Sequence, residues 1–115
     1  EVEAAIPHYV VALDLQPDYA VAHNNLGNAF SEQGRLEEAI ASFSKALEIR
    51  PDYPVAHNNL GVALARQGKL DEAIVHFSAA LQLKPDYIQA DTNLRRALAE
   101  TGRGTQAADS ITDPS

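Results

Sequence analysis

The chain has no cysteine among its 115 residues, which excludes disulfides, thiolate zinc sites and thiol redox chemistry. It is also poor in cations. Nine Lys and Arg stand against sixteen Asp and Glu, for a formal net charge of −7. Binding nucleic acid requires clustered Lys and Arg to displace counterions, so no nucleic-acid partner is expected. No apolar run approaches the roughly 20 residues of a membrane-spanning helix, and no signal peptide is visible. Membrane contact is therefore not expected, and the compartment stays open with the cytoplasm as the expectation. Methionine is missing even from position 1, and the chain starts inside a repeat, as an excised piece of a longer protein would. There is no nucleophile elbow and no phosphate loop. The acidic pairs Glu37 with Glu38 and Asp71 with Glu72 fall in first turns of helices, where the helix dipole accounts for them. No catalytic residue and no cofactor is assigned.

Hydrophobic residues make up 45% of the chain, enough to fill a core without metals or disulfides. They are arranged by a period. Ala22-His23-Asn24-Asn25-Leu26-Gly27 returns 34 residues later as Ala56-His57-Asn58-Asn59-Leu60-Gly61 and again, degraded, as Ala90-Asp91-Thr92-Asn93-Leu94-Arg95. Pro17-Asp18-Tyr19, Pro51-Asp52-Tyr53 and Pro85-Asp86-Tyr87 repeat in phase with it. A fixed period of this length means stacked supersecondary units, none of which buries its apolar face alone.

Residues 1–19 carry apolar positions at Ala5, Ile6, Tyr9, Ala12, Leu13 and Leu15, one period before Ala39, Ile40, Phe43, Ala46, Leu47 and Ile49. That spacing predicts an amphipathic helix over 4–16, the second helix of a truncated repeat, ended by Pro17, with Asp18 placed to cap the next. Repeat 1 spans 20–53. Its leading helix, over 19–33, closes at Gly34, and its second helix, over 36–49, stops before Pro51. Repeat 2, over 54–87, copies this with Gly68 and Pro85. Repeat 3 keeps a leading helix within 88–104 but decays afterwards. Gly102 and Gly104 each weaken helix formation there by about 1 kcal/mol. Ala107, Ala108 and Ile111 then leave only a weak helix or a disordered tail over 105–115.

These residues resemble the tetratricopeptide repeat family. The first copy supplies His23, Leu26 with Gly27, Phe30, Ala39, Phe43, Ala46 and Pro51, and the second His57, Leu60 with Gly61, Leu64, Ala73, Phe77, Ala80 and Pro85. Histidine stands where the pattern has a bulky aromatic. The asparagine-bearing leading helices are most similar to the repeats of the O-linked N-acetylglucosamine transferase superhelix and its bacterial relatives. The resemblance implies an all-α, right-handed solenoid of stacked antiparallel helix pairs that serves as a protein-interaction scaffold, with an extended peptide in its concave groove. The runner-up is a non-catalytic, substrate-presenting region of a larger enzyme such as a glycosyltransferase.

On a helical wheel Val21, Asn24, Asn25, Asn28 and Glu32 share a band opposite Leu26, Gly27 and Phe30. Repeat 2 places Val55, Asn58, Asn59, Val62 and Arg66 there, and repeat 3 Gln89, Thr92, Asn93, Arg96 and Glu100. The resemblance puts this band in the groove. Asn25, Asn59 and Asn93 would then form a ladder, each offering two N–H donors and an acceptor to a peptide backbone, with Asn24, Asn58, Asn28, Val21, Val55 and Val62 beside them; the alternative is that these asparagines solvate a helix face or bond within the solenoid. Three such contacts, at about 0.5–1.5 kcal/mol each, fall short of the roughly 8 kcal/mol of a micromolar complex, so binding should be weak and tolerant of sequence. Family members that clamp a terminal carboxylate use Lys and Arg in this groove. Asn28 and Asn59 match two clamp positions, but Asn24, Gln89 and Asn93 occupy the cationic ones, which argues against that mode.

His23 and His57 fall at equivalent positions on helices whose axes lie about 8–10 Å apart, too far for an easily shared ion, so no metal site is assigned. Helix 4–16 lacks a preceding partner helix. Ile6, Tyr9 and Leu13 would be partly uncovered, and self-association through that end is the expectation.

Overall fold

A computed structural model describes residues 19–102. Among these residues five helices succeed one another: α1 (Ala20–Glu32), α2 (Leu36–Ile49), α3 (Pro54–Arg66), α4 (Leu70–Leu83) and α5 (Ile88–Thr101). No strand occurs among the described residues. The two hairpins α1–α2 and α3–α4 stack in sequence, and α5 packs on α4 as the leading helix of a third unit. The expected bounds of α2 hold at both ends, while α1 is one residue shorter than expected at each. Tyr19 is the residue before the first turn of α1. The helix expected over 4–16, the capping role of Asp18, the weak helix or tail over 105–115 and the uncovered patch at Ile6, Tyr9 and Leu13 all lie outside the described residues.

Local punctuation explains each boundary. α1 ends with Gly34 at φ 76°, a left-handed conformation that a side chain would disfavour. Gly34 N–H then donates to Ser31 O (3.0 Å) and Arg35 N–H to Phe30 O (2.9 Å), the paired bonds of a Schellman motif. The Arg35 guanidinium covers the Phe30 ring at 4.5 Å, closing the turn with an apolar contact. Gly68 repeats the arrangement, with bonds of 2.9 Å to Ala65 O and from Lys69 N–H to Leu64 O. α2 and α4 stop differently. Arg50 (φ −137°, ψ 87°) and Lys84 (φ −140°, ψ 88°) are extended because each precedes a proline.

Packing inside a hairpin turns on a glycine and a phenylalanine. Phe43 and Phe77 are fully buried, and their rings press against the backbone of Gly27 and Gly61. Ala39, Ala46, Ala73 and Ala80 are buried completely, and their small size lets the helices approach. Leu26 is buried, whereas Phe30, Ile40 and Leu47 are half-buried along the seams. One apolar cluster runs from Ala39 and Phe43 through Leu60, Leu64 and Phe77 to Ala97. Each unit thus shares its core with the next.

The third copy departs where its sequence does. Arg95 stands at the position of Gly27 and Gly61, is exposed, and pairs with Asp91 one turn back at 3.1 Å.

Candidate functional site

The leading helices α1, α3 and α5 bring the asparagines of the repeat together on one face. Asn25, Asn59 and Asn93 are each half-buried, neither enclosed nor free in solvent. Asn59 Nδ2 donates to Asn24 Oδ1 on the preceding leading helix (3.1 Å), and Asn93 Nδ2 donates to Asn58 Oδ1 in the same way (3.0 Å). Each bond spans one repeat plus one residue. It anchors one amide hydrogen and leaves the second N–H and the carbonyl oxygen of Asn59 and Asn93 for other partners.

This geometry corrects the reading of Asn24 and Asn58. Expected on the groove surface, they are 3% and 5% exposed, because the following leading helix packs over that side of the band. Buried amides need partners, and Asn59 and Asn93 supply them. Asn24 and Asn58 therefore support the column from beneath. Asn58 also hydrogen-bonds the Tyr87 hydroxyl; burial pushes that group's pKa above its ordinary value and the bond works against the rise.

Beside the column, Val21, Asn28 and Val62 are half-buried and Val55 is exposed. Where α3 meets α5, an open hollow of about 350 Å³ lies among Asn58, Ile88, Gln89, Thr92 and Asn93. A second, of about 210 Å³, lies further along the same seam between Val62, Ala97 and Phe77, with Arg66, Arg96 and Glu100 at its rim. Both hollows draw part of their lining from the band read from the wheel, and Ile88, 77% exposed, adds an apolar contact. Ile88 falls outside the wheel band but could have been noticed as an isoleucine where the earlier repeats carry Ala20 and Pro54.

Two contacts were not legible from periodicity. Arg66 donates to the carbonyl and the hydroxyl of Ser31, both at 3.0 Å, tying α3 to the end of α1. His57 and His76, 19 residues apart, face each other through Nδ1 at 3.1 Å, with ring centroids 5.4 Å apart. His57 Nε2 lies 2.9 Å from Pro51 O, and only a protonated Nε2 can donate to a carbonyl. His57 Nδ1 is then the acceptor and His76 Nδ1–H the donor. Burial, with the neighbouring His57, holds the His76 pKa below its ordinary value, and Glu72 opposes this. Among the described residues no three His, Asp or Glu side chains cluster as metal ligands, and no helix is long and apolar enough to cross a membrane.

The chain matches a family model described as TPR repeat over residues 1–34 and 27–68, and one described as Tetratricopeptide repeat over 54–87. Among solved structures it is similar to the first TPR of Spaghetti (RPAP3) bound to the HSP90 peptide SRMEEVD, with TM-score 0.86 and 24% identity over 88% of this chain and 80% of that one. It is similar to MamA with TM-score 0.87 and 24% identity, over 94% of this chain and 63% of that one. A mutant of the Thermobaculum terrenum O-GlcNAc transferase is 31% identical with TM-score 0.81, over 84% of this chain but only 19% of the transferase. Comparison with curated proteins finds no match.

Proposed function

Because this chain belongs to the tetratricopeptide repeat family, we propose that it is a protein-interaction module that holds an extended segment of a partner along the trough of its leading helices. The observation that carries this reading is the tethered column. Asn59 and Asn93 are each pinned by one N–H to the preceding helix, so their remaining polar atoms are oriented before a ligand arrives, which lowers the entropy lost on binding. Successive positions of an extended chain offer N–H and C=O groups that a row of carboxamides can take up one at a time. Val21, Val55 and Val62 supply apolar contact beside them.

The peptide held by the Spaghetti repeat is acidic and ends in a carboxylate, whereas Asn24, Gln89 and Asn93 offer no cation at the clamp positions. Internal segments of a partner suit this trough better than a chain end.

Isothermal titration of an extended peptide ligand against the intact chain and against Asn25→Ala tests the reading. Asn25 takes part in neither interhelical amide bond, so its removal should weaken binding about three- to tenfold and leave the melting temperature unchanged. Equal affinity in the variant would remove the column from recognition.

A second reading is favoured by the transferase likeness. The chain could present substrates to a catalytic domain in a larger enzyme. Fusing it to such a domain and finding turnover of a protein substrate unchanged by Asn25→Ala would count against this.

A further inference from the structure

The seams between successive leading helices are built from equivalent positions, yet they close differently. At the first seam Arg66 reaches back and bonds Ser31. One repeat later Glu100 stands at the position of Arg66 and Ala65 at that of Ser31. A carboxylate cannot donate to a carbonyl, and alanine has no hydroxyl, so the tie cannot be repeated. The second seam stays open as the hollow of about 210 Å³ over the buried ring of Phe77. A cavity of about 150 Å³ admits benzene, so this one has room for an aliphatic side chain.

Charge decides what accompanies that side chain. Arg96 occupies the position held by Asn28 and Val62 in the earlier repeats. It is exposed, and the carboxylate of Asp91 pairs with Arg95. Arg66 reaches away to Ser31, so the rim sets Arg96 beside the carboxylate of Glu100, with the positive charge of Arg66 close by on the neighbouring seam. In an extended peptide the residue two positions along lies on the same side, about 7 Å away, within reach of an arginine at the rim.

We propose that this hollow is the specificity pocket of the trough, taking an aliphatic side chain of an extended peptide that carries Asp or Glu two residues away, with the carboxylate paired to Arg96. The proposal rests on the trough being a peptide site and adds which peptides it selects. Guanidinium and carboxylate can meet through two parallel hydrogen bonds, and a lysine at the same place would meet the like charge of Arg96. The pocket arises from the substitutions in the third copy, so the first seam, closed by Arg66, does not offer it.

The test uses the whole chain labelled with ¹⁵N and four probes: acetyl-Leu-Ala-Glu-amide, acetyl-Glu-Ala-Leu-amide, and the counterparts of the better binder with Lys for Glu or Ala for Leu. Amide shifts at Val62, Arg96 and Ala97 should saturate with the better acidic probe, and each counterpart should bind about fivefold weaker or worse. Arg96→Glu, on an exposed position that folding tolerates, should reverse the preference between Glu and Lys. Equal binding of the Glu and Lys probes, or a preference that survives Arg96→Glu, would overturn the proposal. With a decapeptide containing Leu-Ala-Glu, shifts at Asn25 and Asn59 without any at Val62 or Ala97 would reject the pocket and keep the trough. Shifts confined to Val62, Arg96 and Ala97 would keep the pocket and remove Asn25 and Asn59 from recognition.

Discussion

The ring of Phe43 lies 2.5 Å from where a Cβ on Gly27 would stand, and Phe77 stands in the same relation to Gly61. Each hairpin is therefore closed by an aromatic ring laid flat on a helix that carries no side chain at that point. The ring is fully buried and has nowhere to retreat.

Gly27→Ala and Gly61→Ala should accordingly destabilise the chain, although alanine is the better helix former. Helix propensity returns about 1 kcal/mol, while overpacking a filled site costs about 1–3 kcal/mol or more. A net loss of up to roughly 2 kcal/mol, read as a lower urea midpoint with unchanged slope, is the expected result. A stabilised variant would mean that the rings can shift.

Phe77→Ala should be far more damaging, at about 3–5 kcal/mol, because Phe77 belongs to the cluster that runs from Ala39 to Ala97. The loss should appear in α3, α4 and α5 together. Hydrogen exchange that quickens only in α4 would contradict a shared core.

Asn59→Ala leaves the buried Asn24 oxygen without its donor, which should cost about 1–3 kcal/mol. Asn24→Ala removes the acceptor, and the double variant should cost less than the sum of the two. A double-mutant cycle by chemical denaturation measures this. Strict additivity would show that the 3.1 Å bond contributes no coupling.

Stability should depend on pH through His76. Its pKa is lowered in the folded chain from its ordinary value of 6.5, so the unfolded chain binds a proton more readily and stability rises with pH in that range. The contribution is complete above about pH 6.5 and is lost as pH falls through the lower folded value. Urea midpoints between pH 5.5 and 7.5 should show this slope. His76→Ser, which copies Ser42 of the first repeat, should flatten it.

The helices were legible because their signals are local. Gly34 and Gly68 accept a left-handed backbone, Pro51 and Pro85 extend the residue before them, and the 34-residue period marks which faces are apolar. Asn25, Asn59 and Asn93 could be placed on one face for the same reason. The burial of Asn24 and Asn58 could not, because a wheel treats each helix as isolated while the neighbouring leading helix covers one edge of the band. Nor could the meeting of His57 with His76, which depends on how α3 crosses α4.

The order of apolar and breaking residues was enough to determine the repeat and the hairpins, since both come from contacts between residues near in sequence or one period apart. The stacking of one leading helix on the next decided which carboxamides are consumed by the protein itself and which remain available. It also decided that the second seam holds an open pocket where the first is tied shut. Those outcomes depend on angstrom-scale distances between side chains of different repeats, and such distances exist only once the helices have packed.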